Sequence, residues 1–204
     1  ALKALSAQVA DQREKALKRA QALSRKRTKA AGELEKRLER ELKDLRMEHA
    51  RVRIAVEQEA GADGPQLTST GSDRVEFLFS SNLGEAPQPL ARIASGGELS
   101  RVMLAMKTVL AEQDRVPVLV FDEVDAGIGG AVSEVVGKRL RELSRHGHQV
   151  FCITHLAPIA AQAQRHFSVA KAVKSGRTVT QVEQLDKAAR VEEVARMLGG
   201  ETIT

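Results

Sequence analysis

The stretch Ser95-Gly96-Gly97-Glu98, followed about twenty residues later by Val118-Leu119-Val120-Phe121-Asp122-Glu123, decides the fold of this chain. The first segment opens a helical run, and the second is a short apolar strand that ends in two carboxylates. This order is typical of the second half of a nucleotide-hydrolysing domain. The sequence contains no G-x-x-x-x-G-K-[ST] loop to cradle phosphates. It therefore predicts catalytic groups for ATP that another polypeptide segment holds.

The glycines at the start of this helix carry the first functional signal. Ser95 can cap the helix while Glu98 reaches back to the cap, which is an ordinary structural motif. Two consecutive glycines in a first turn, however, cost about 1 kcal/mol each relative to alanine. Without side chains, Gly96 and Gly97 would leave backbone N–H groups open to an anion at the positive end of the helix. We expect an anion-binding helix start.

Polar groups follow two successive apolar strands. In a nucleotide site, Asp122 would hold Mg²⁺ through its water shell and Glu123 would polarise the attacking water as general base. His155 follows the next apolar strand, which we expect to lie beside the first, so its imidazole could reach the same phosphate. The run Asp125-Ala126-Gly127-Ile128-Gly129-Gly130 is either a flexible turn or a backbone segment that passes close to a second molecule.

Residues 1–50 have a different character from the rest of the chain. They contain no proline and one glycine, and apolar residues recur every three or four positions in two stretches separated by an offset. This pattern predicts a coiled-coil helix with a stutter. Its partner could be an antiparallel helix from a missing N-terminal half or the same helix of a second copy. We expect a head domain at residues 51–204.

Within the head, the apolar period alternates between that of strands and that of helices. The pattern predicts strands at 52–56, 75–79, 116–122 and 149–154, helices at 99–112, 130–145 and 191–198, and a hairpin of 167–174 with 178–184. Helices that alternate with continuous apolar strands indicate a mostly parallel sheet covered on its faces by helices. The predicted fold class is α/β, preceded by a long coiled-coil helix.

Charge and composition narrow the partners. The net charge is +5, and residues 1–50 hold 14 Lys and Arg against 8 Asp and Glu, so they carry all the excess. Phosphate-backbone contact with duplex DNA is plausible there, although a solvated helix face is the default. The densest basic cluster is Arg25, Lys26, Arg27 and Lys29. No apolar run is long enough to span a membrane. Cys152 is expected to be a small buried hydrophobe rather than a reactive group.

Three motifs together resemble the C-terminal half of the bacterial RecN family, repair ATPases related to the structural-maintenance-of-chromosomes (SMC) proteins. They are residues 94–101 (ASGGELSR), 120–130 (VFDEVDAGIGG) and 153–156 (ITHL). The resemblance extends over essentially the whole chain, and the DAGIGG continuation is more specific than the SGGE signature that ABC-type ATPases share.

The resemblance implies a role for each matched residue. The signature Ser95, Gly96, Gly97 and Glu98 would contact the γ-phosphate of ATP bound on an opposite subunit. Asp122 would serve Mg²⁺, Glu123 would be the catalytic base, Asp125 would lie in a loop touching the partner head, and His155 would be the switch histidine. The partners implied are an N-terminal lobe of the same protein, a second copy of the head, and DNA, in a cytoplasmic protein associated with the nucleoid.

Two functions remain open at this point. One is an ATP-driven enzyme that acts on DNA in recombinational double-strand-break repair. The other is an architectural DNA-binding or tethering protein in which ATP controls assembly. On either interpretation, this chain alone is expected to be inactive because it lacks the phosphate-binding loop.

Overall fold

The computed structural model describes residues 2–61, 64–93, 95–174 and 177–199. The chain divides into two compact units. The arm unit comprises residues 1–43 and 47–94, and the site unit comprises residues 44–46 and 95–204. This division groups the long helix with the strands that follow it. The predicted boundary between coiled coil and head at residue 50 stays a prediction.

The arm unit begins with α1, a 43-residue helix at Leu2–Asp44. At 1.5 Å per residue its length is about 65 Å. The helix ends six residues before the predicted end: Arg46 has a positive φ of 60°, and the Met47 amide donates to the Leu42 carbonyl at 2.9 Å. The apolar residues of its first turns are exposed, with Leu2 at 85%. This stripe therefore has no covering partner among the described residues.

Five short strands complete the arm unit. They are β1 (Arg51–Gln58), β2 (Ala60–Gly61), β3 (Gly64–Pro65), β4 (Asp73–Ser80) and β5 (Gln88–Pro89). The strands β1, β4 and β5 form an antiparallel sheet in the order β1-β4-β5, and β2 pairs with β3. The predicted strands at 52–56 and 75–79 are thus confirmed and lengthened, and the small β2–β3 hairpin lies between them in the chain.

Side chains of α1 satisfy the free edge of β1. The Val52 and Ile54 amides donate to the carboxylates of Glu39 and Glu35, at 3.2 and 2.7 Å. An unpaired strand edge exposes such N–H groups to other chains, so these two bonds protect it. The second half of α1 is therefore fixed against the sheet.

The site unit alternates helices and strands. Its elements are α2 (Gly96–Val109), β6 (Val118–Phe121), α3 (Ala131–Arg145), β7 (Gln149–Cys152), α4 (Ala157–Ala160), β8 (Phe167–Lys174), β9 (Arg177–Gln184) and α5 (Lys187–Gly199). The strands β6 and β7 are parallel neighbours, as predicted, and β8 and β9 form the predicted antiparallel hairpin. Ser175 and Gly176, which join the two strands of the hairpin in the sequence, and Gly200 lie outside the described residues.

One face of the β6–β7 pair carries the core of the site unit. Leu119 and Phe121 are buried, and the fully buried core includes Leu104 of α2 and Val136 of α3. The helix α3 packs against β7, α2 and α4. Its buried face follows the helical repeat, so apolar residues at this spacing cover one side of the sheet.

The opposite face of β6–β7 is open within the described part of the chain. Val120 is 66% exposed, and Phe151 and Ile153 are also exposed. The sequence predicted strands covered on both faces, and this expectation holds for one face only. An apolar strand pattern reports the burial that a strand receives in the complete protein, whatever segment supplies the cover.

The predicted α/β class, with a long helix before the head, is confirmed. Strand pairing is mixed among the described residues: β6–β7 is the parallel pair, whereas the other pairs are antiparallel. Of the predicted mostly parallel sheet, the described residues contain one parallel pair, β6–β7. None of the described helices is both long and apolar enough to cross a membrane.

Candidate nucleotide site

The helix α2 starts as the sequence predicts. Ser95 is its N-cap, with extended backbone angles, and its Oγ accepts a hydrogen bond from the Glu98 amide at 3.3 Å. Ser95 and Gly96 are exposed, whereas Gly97 is buried. The first turn of this 14-residue helix therefore presents its cap and first glycine to solvent.

Packing within the chain also explains why Gly96 and Gly97 have no side chains. A Cβ at Gly96 would collide with Oε2 of Glu123, and a Cβ at Gly97 would lie 2.8 Å from the Cβ of Ala126. The segment 122–130, which we call the acidic loop, can therefore lie directly against the start of α2. Their absent side chains serve close packing, and the anion access predicted from the sequence stays a prediction.

Two side chains of α2 hold the acidic loop by its backbone. Ser100 Oγ donates to the Asp122 carbonyl at 2.6 Å, and Arg101 Nη1 donates to the Ala126 carbonyl at 2.8 Å. Arg101 is buried, and this burial lowers the pKa of its guanidinium, an effect that Glu98 opposes. The sequence motif included Ser100 and Arg101 without a role for either. A charged residue on the buried face of a helix was the signal that could have marked Arg101.

The two acids at the end of β6 differ in backbone conformation. Both residues are exposed, and Oδ1 of Asp122 accepts the Glu123 amide at 2.9 Å. Glu123 has a φ of 57°, which is uncommon for a residue with a side chain and costs of order 1 kcal/mol or more. This left-handed turn lets its carboxylate cover Gly96 while Asp122 follows the strand.

Asp122 fits an ion that is held mainly by other ligands. No group of three or more His, Cys, Asp or Glu side chains that could hold a metal occurs among the residues the structure describes. Mg²⁺ commonly keeps several waters and binds through one or two carboxylates together with substrate phosphates. A single exposed carboxylate at a strand end matches that kind of donor set.

Asp125 joins the acidic loop to the end of β7. Its Oδ2 accepts from Thr154 Oγ1 at 2.6 Å and from the His155 amide at 3.1 Å, and it lies 3.2 Å from His155 Nδ1. The Asp125 side chain is 5% exposed, whereas that of His155 is 76% exposed. The resemblance placed Asp125 in a loop touching a partner head. The carboxylate itself is buried and bonded inside the chain, and contact of this loop with a partner head stays a prediction.

The rest of the acidic loop lies at the surface. Gly127 and Gly130 have positive φ values of 70° and 56°, which side chains rarely adopt. Ala126, Gly127, Gly129 and Gly130 are exposed. The backbone of the loop is therefore accessible, as the hypothesis of a second molecule passing close to it requires.

Cys152, at the end of β7, is not a nucleophile in this setting. Burial raises the pKa of its thiol to about 12, with further contributions from Asp125 and Asp122. The thiolate is the reactive form, so a thiol with this pKa is inert near neutral pH. This agrees with its interpretation as a small hydrophobic residue.

The predicted DNA-binding residues lie in the arm unit, and one of them has a structural role. Arg27 donates to Oδ2 of Asp73 at 3.0 Å and to the Thr70 carbonyl at 2.7 Å. Arg25, Lys26 and Lys29 are exposed on α1. Since Arg27 holds the helix to the strands, only the other three of the four predicted residues present their charges to solvent.

The nucleotide-site residues predicted from sequence thus meet at one edge of the site unit: the start of α2, the acidic loop after β6, and His155 after β7. The α/β fold, with a long helix before it, is of the class found in ABC-type ATPase lobes. Solved structures support the fold. An Smc head domain from Pyrococcus yayanosii, with a coiled coil and joint, matches with a TM-score of 0.55 and 22% identity over 83% of this chain and 29% of that chain.

A second solved structure, the SmcHead bound to the C-winged helix domain of ScpA, gives a TM-score of 0.52 at 19% identity, over 81% of this chain and 46% of that one. Curated relatives are more similar in sequence. The DNA repair protein RecN of Vibrio cholerae is 43% identical over 182 residues, which are 89% of this chain. RecN of Treponema pallidum is 48% identical over 182 residues, and RecN of Bacillus subtilis is 42% identical over 184 residues, which are 89% and 85% of this chain.

The resemblance to the C-terminal half of bacterial RecN is thereby confirmed. The chain spans 32% of the length of each of these three relatives. No protein-family model matches the chain.

Proposed function

We propose that this chain is the C-terminal part of an SMC-like ATPase that binds and hydrolyses ATP between two engaged heads. In the complete protein this activity would serve recombinational repair of DNA double-strand breaks. The observation that carries the proposal is the meeting of the α2 glycine start, Asp122, Glu123 and His155 at one edge of the site unit. The similarity to RecN proteins supplies the link to repair.

Each group has a separate task in this proposal. Asp122 would hold Mg²⁺ through water, and the ion supplies neutralisation of phosphate charge. Glu123 would orient and polarise the attacking water. His155 would contact the γ-phosphate from its exposed position. Ser95 and the glycine amides of the α2 start would receive the γ-phosphate of ATP held by a second copy of the head.

The phosphates of each ATP would be held by an N-terminal lobe outside this chain. The open face of β6–β7 supports such a partner, because Val120, Phe151 and Ile153 expose apolar surface there. The relatives are about three times longer than this chain, which leaves room for another lobe. The proposed lobe would cover this face and bring its phosphate-binding loop to the strand ends.

The direct test is ATP turnover by this chain, the separate N-terminal lobe, and a mixture of the two, each with and without linear DNA. We expect turnover only in the mixture, because neither part holds a complete site. Turnover by this chain alone would contradict the proposed division of the site. A mixture that forms a stable complex yet hydrolyses no ATP would contradict the proposed ATPase.

DNA would be contacted by the exposed cations of α1. We expect the double substitution Lys26→Glu and Lys29→Glu to weaken duplex binding by the complete protein about tenfold or more and to lower the salt slope by about two, because each phosphate contact releases counterions. Binding is measured by fluorescence anisotropy at several salt concentrations. The control is Lys138→Glu with Lys187→Glu, the same charge change in the site unit. Equal affinity for the two double variants would contradict the assignment.

The architectural alternative predicts the same loss of DNA binding in the charge-reversal variants. It differs in what it predicts for repair by a variant that cannot hydrolyse ATP. If ATP only controls assembly, a variant that cannot hydrolyse ATP still supports repair as long as it binds ATP and DNA. If hydrolysis powers the work, that variant fails in repair while it retains DNA binding. Survival of cells that carry Glu123→Gln after double-strand breaks separates the two functions.

A further inference from the structure

The buried carboxylate of Asp125 is the feature of the site that the proposed roles above do not use. Its Oδ2 lies within hydrogen-bond distance of three groups at the end of β7: Thr154 Oγ1, the His155 amide and His155 Nδ1. Thr154 Oγ1 in turn accepts from the Leu156 amide at 3.0 Å. These bonds fix Asp125 relative to the backbone that carries the histidine.

The chemistry of a carboxylate determines which way the histidine ring is protonated. An ionised carboxylate only accepts hydrogen bonds, so a hydrogen bond across the 3.2 Å between Nδ1 and Oδ2 would need a proton on Nδ1. The partner of one ring nitrogen decides how the other nitrogen is used. With Nδ1 beside Asp125, Nε2 is the ring nitrogen farther from the carboxylate, and the exposed ring can present it to a ligand.

We propose that Asp125 is a positioning residue that holds His155 with its proton on Nδ1 and its Nε2 directed to the γ-phosphate. This inference rests on the proposed ATPase function, because it assigns a task to a residue of that same site. It concerns the carboxylate of Asp125 and leaves the expected contact of its loop with a partner head as a prediction. Asp125 acts through His155 and itself touches neither the nucleotide nor the water.

The arrangement couples the two strand ends of the site. Asp125 belongs to the acidic loop that carries Glu123, and His155 follows β7. A bond between them fixes the distance between the proposed base and the proposed phosphate contact. Displacement of a catalytic group by about 1 Å can cost about a hundredfold in rate, so this bond bears directly on turnover.

The test is a double-mutant cycle in the complete protein, with Asp125→Ala, His155→Ala and the pair combined. We expect each single variant to lower kcat about a hundredfold with little change in KM for ATP. The combined variant should be no slower than His155→Ala, because residues that act as one unit are not additive. Multiplied effects of the two substitutions would overturn the inference, as would full activity of Asp125→Ala.

Two further measurements separate positioning from general damage. Asp125→Asn keeps an oxygen acceptor of the same shape, so we expect it to retain at least about a tenth of the activity, whereas a structural loss of charge would not be rescued. In the protein with ¹⁵N-labelled histidine, the signal missing from His155→Ala identifies His155. A proton on Nδ1 supports the inference even if Asp125→Ala does not fold, and an unprotonated Nδ1 overturns it.

Glu123→Gln is measured in the same series to keep the inference distinct from the function on which it rests. If Glu123→Gln leaves hydrolysis unchanged, the proposed ATPase site fails. If Glu123→Gln abolishes hydrolysis and Asp125→Ala does not impair it, only the role of Asp125 fails.

Discussion

Glu123→Gln in the complete protein is expected to reduce steady-state ATP hydrolysis by at least about a hundredfold. General acid–base catalysis by a positioned side chain contributes about 10² to 10⁴ in rate, and a glutamine of the same shape cannot take up a proton from water. Glu123 lies exposed at the strand end, with its carboxylate over Gly96, so the amide can occupy the same space. Folding and ATP binding should therefore be retained.

The measurement is phosphate release at saturating ATP, with nucleotide binding measured separately. Glu134→Gln is the matched control, because Glu134 is an exposed carboxylate in the site unit that only pairs with Lys138 on α3. The control should retain wild-type turnover, since exposed ion pairs contribute little. Turnover of Glu123→Gln equal to that of the control would show that Glu123 is not the base.

Ser95→Arg is expected to abolish hydrolysis by blocking the γ-phosphate that a partner head brings to this helix start. Ser95 is exposed at the N-cap of α2, where the proposed γ-phosphate must come close to the glycine amides. A long arginine side chain fills that space. It also removes the hydroxyl that caps the Glu98 amide, a loss of about 1 kcal/mol that does not by itself prevent folding.

Ser95→Ala separates the two effects of this substitution. Alanine removes the same cap bond but leaves the space in front of α2 open, so most of the turnover should remain. The measurements are phosphate release and ATP-dependent dimerisation by light scattering. Full turnover by Ser95→Arg, or equal losses in the arginine and alanine variants, would rule out a phosphate that arrives at this helix start from a second chain.

The elements of the site could be predicted because their signals are local. A serine cap, two glycines and a helical apolar repeat mark the start of α2, and short apolar runs that end in polar residues mark β6 and β7. Once two such strands are parallel neighbours, the residues that follow them meet at one edge. The sequence pattern therefore predicts that Asp122, Glu123 and His155 lie at the same edge.

The contacts of Asp125 could not be predicted in the same way. Its partners, Thr154 and His155, are 29 and 30 residues away, and nothing in the spacing shows whether the carboxylate faces inward or outward. The left-handed turn at Glu123 is likewise hidden, since glutamate carries no preference for it. Long-range contacts and strained backbone depend on tertiary packing, which residue patterns do not report.

In the arm unit, too, the sequence pattern does not report long-range contacts. The basic run of α1 predicted a surface for phosphates, yet Arg27 pairs with Asp73, 46 residues away, and anchors the helix. The short helix α4 was missed because four residues are too few to show a helical repeat. The open face of β6–β7 was predicted as buried because the pattern of a strand does not identify the segment that covers it.

In the proposed ATPase the signature of one chain serves the ATP of another chain, and a mixture of two inactive variants tests this division. The start of α2 lies against Glu123 of the same chain, so the rival arrangement puts both on one nucleotide. Complete protein with Ser95→Arg is mixed with complete protein with Glu123→Gln, and formation of mixed dimers is verified with two affinity tags.

In a mixed dimer, one site combines the intact signature of one chain with the intact base of the other. Random pairing then predicts turnover of up to about a quarter of wild type, since about half the dimers are mixed and each has one intact site of two. If the mixed dimers form and phosphate release does not rise above that of either variant alone, the claim is contradicted.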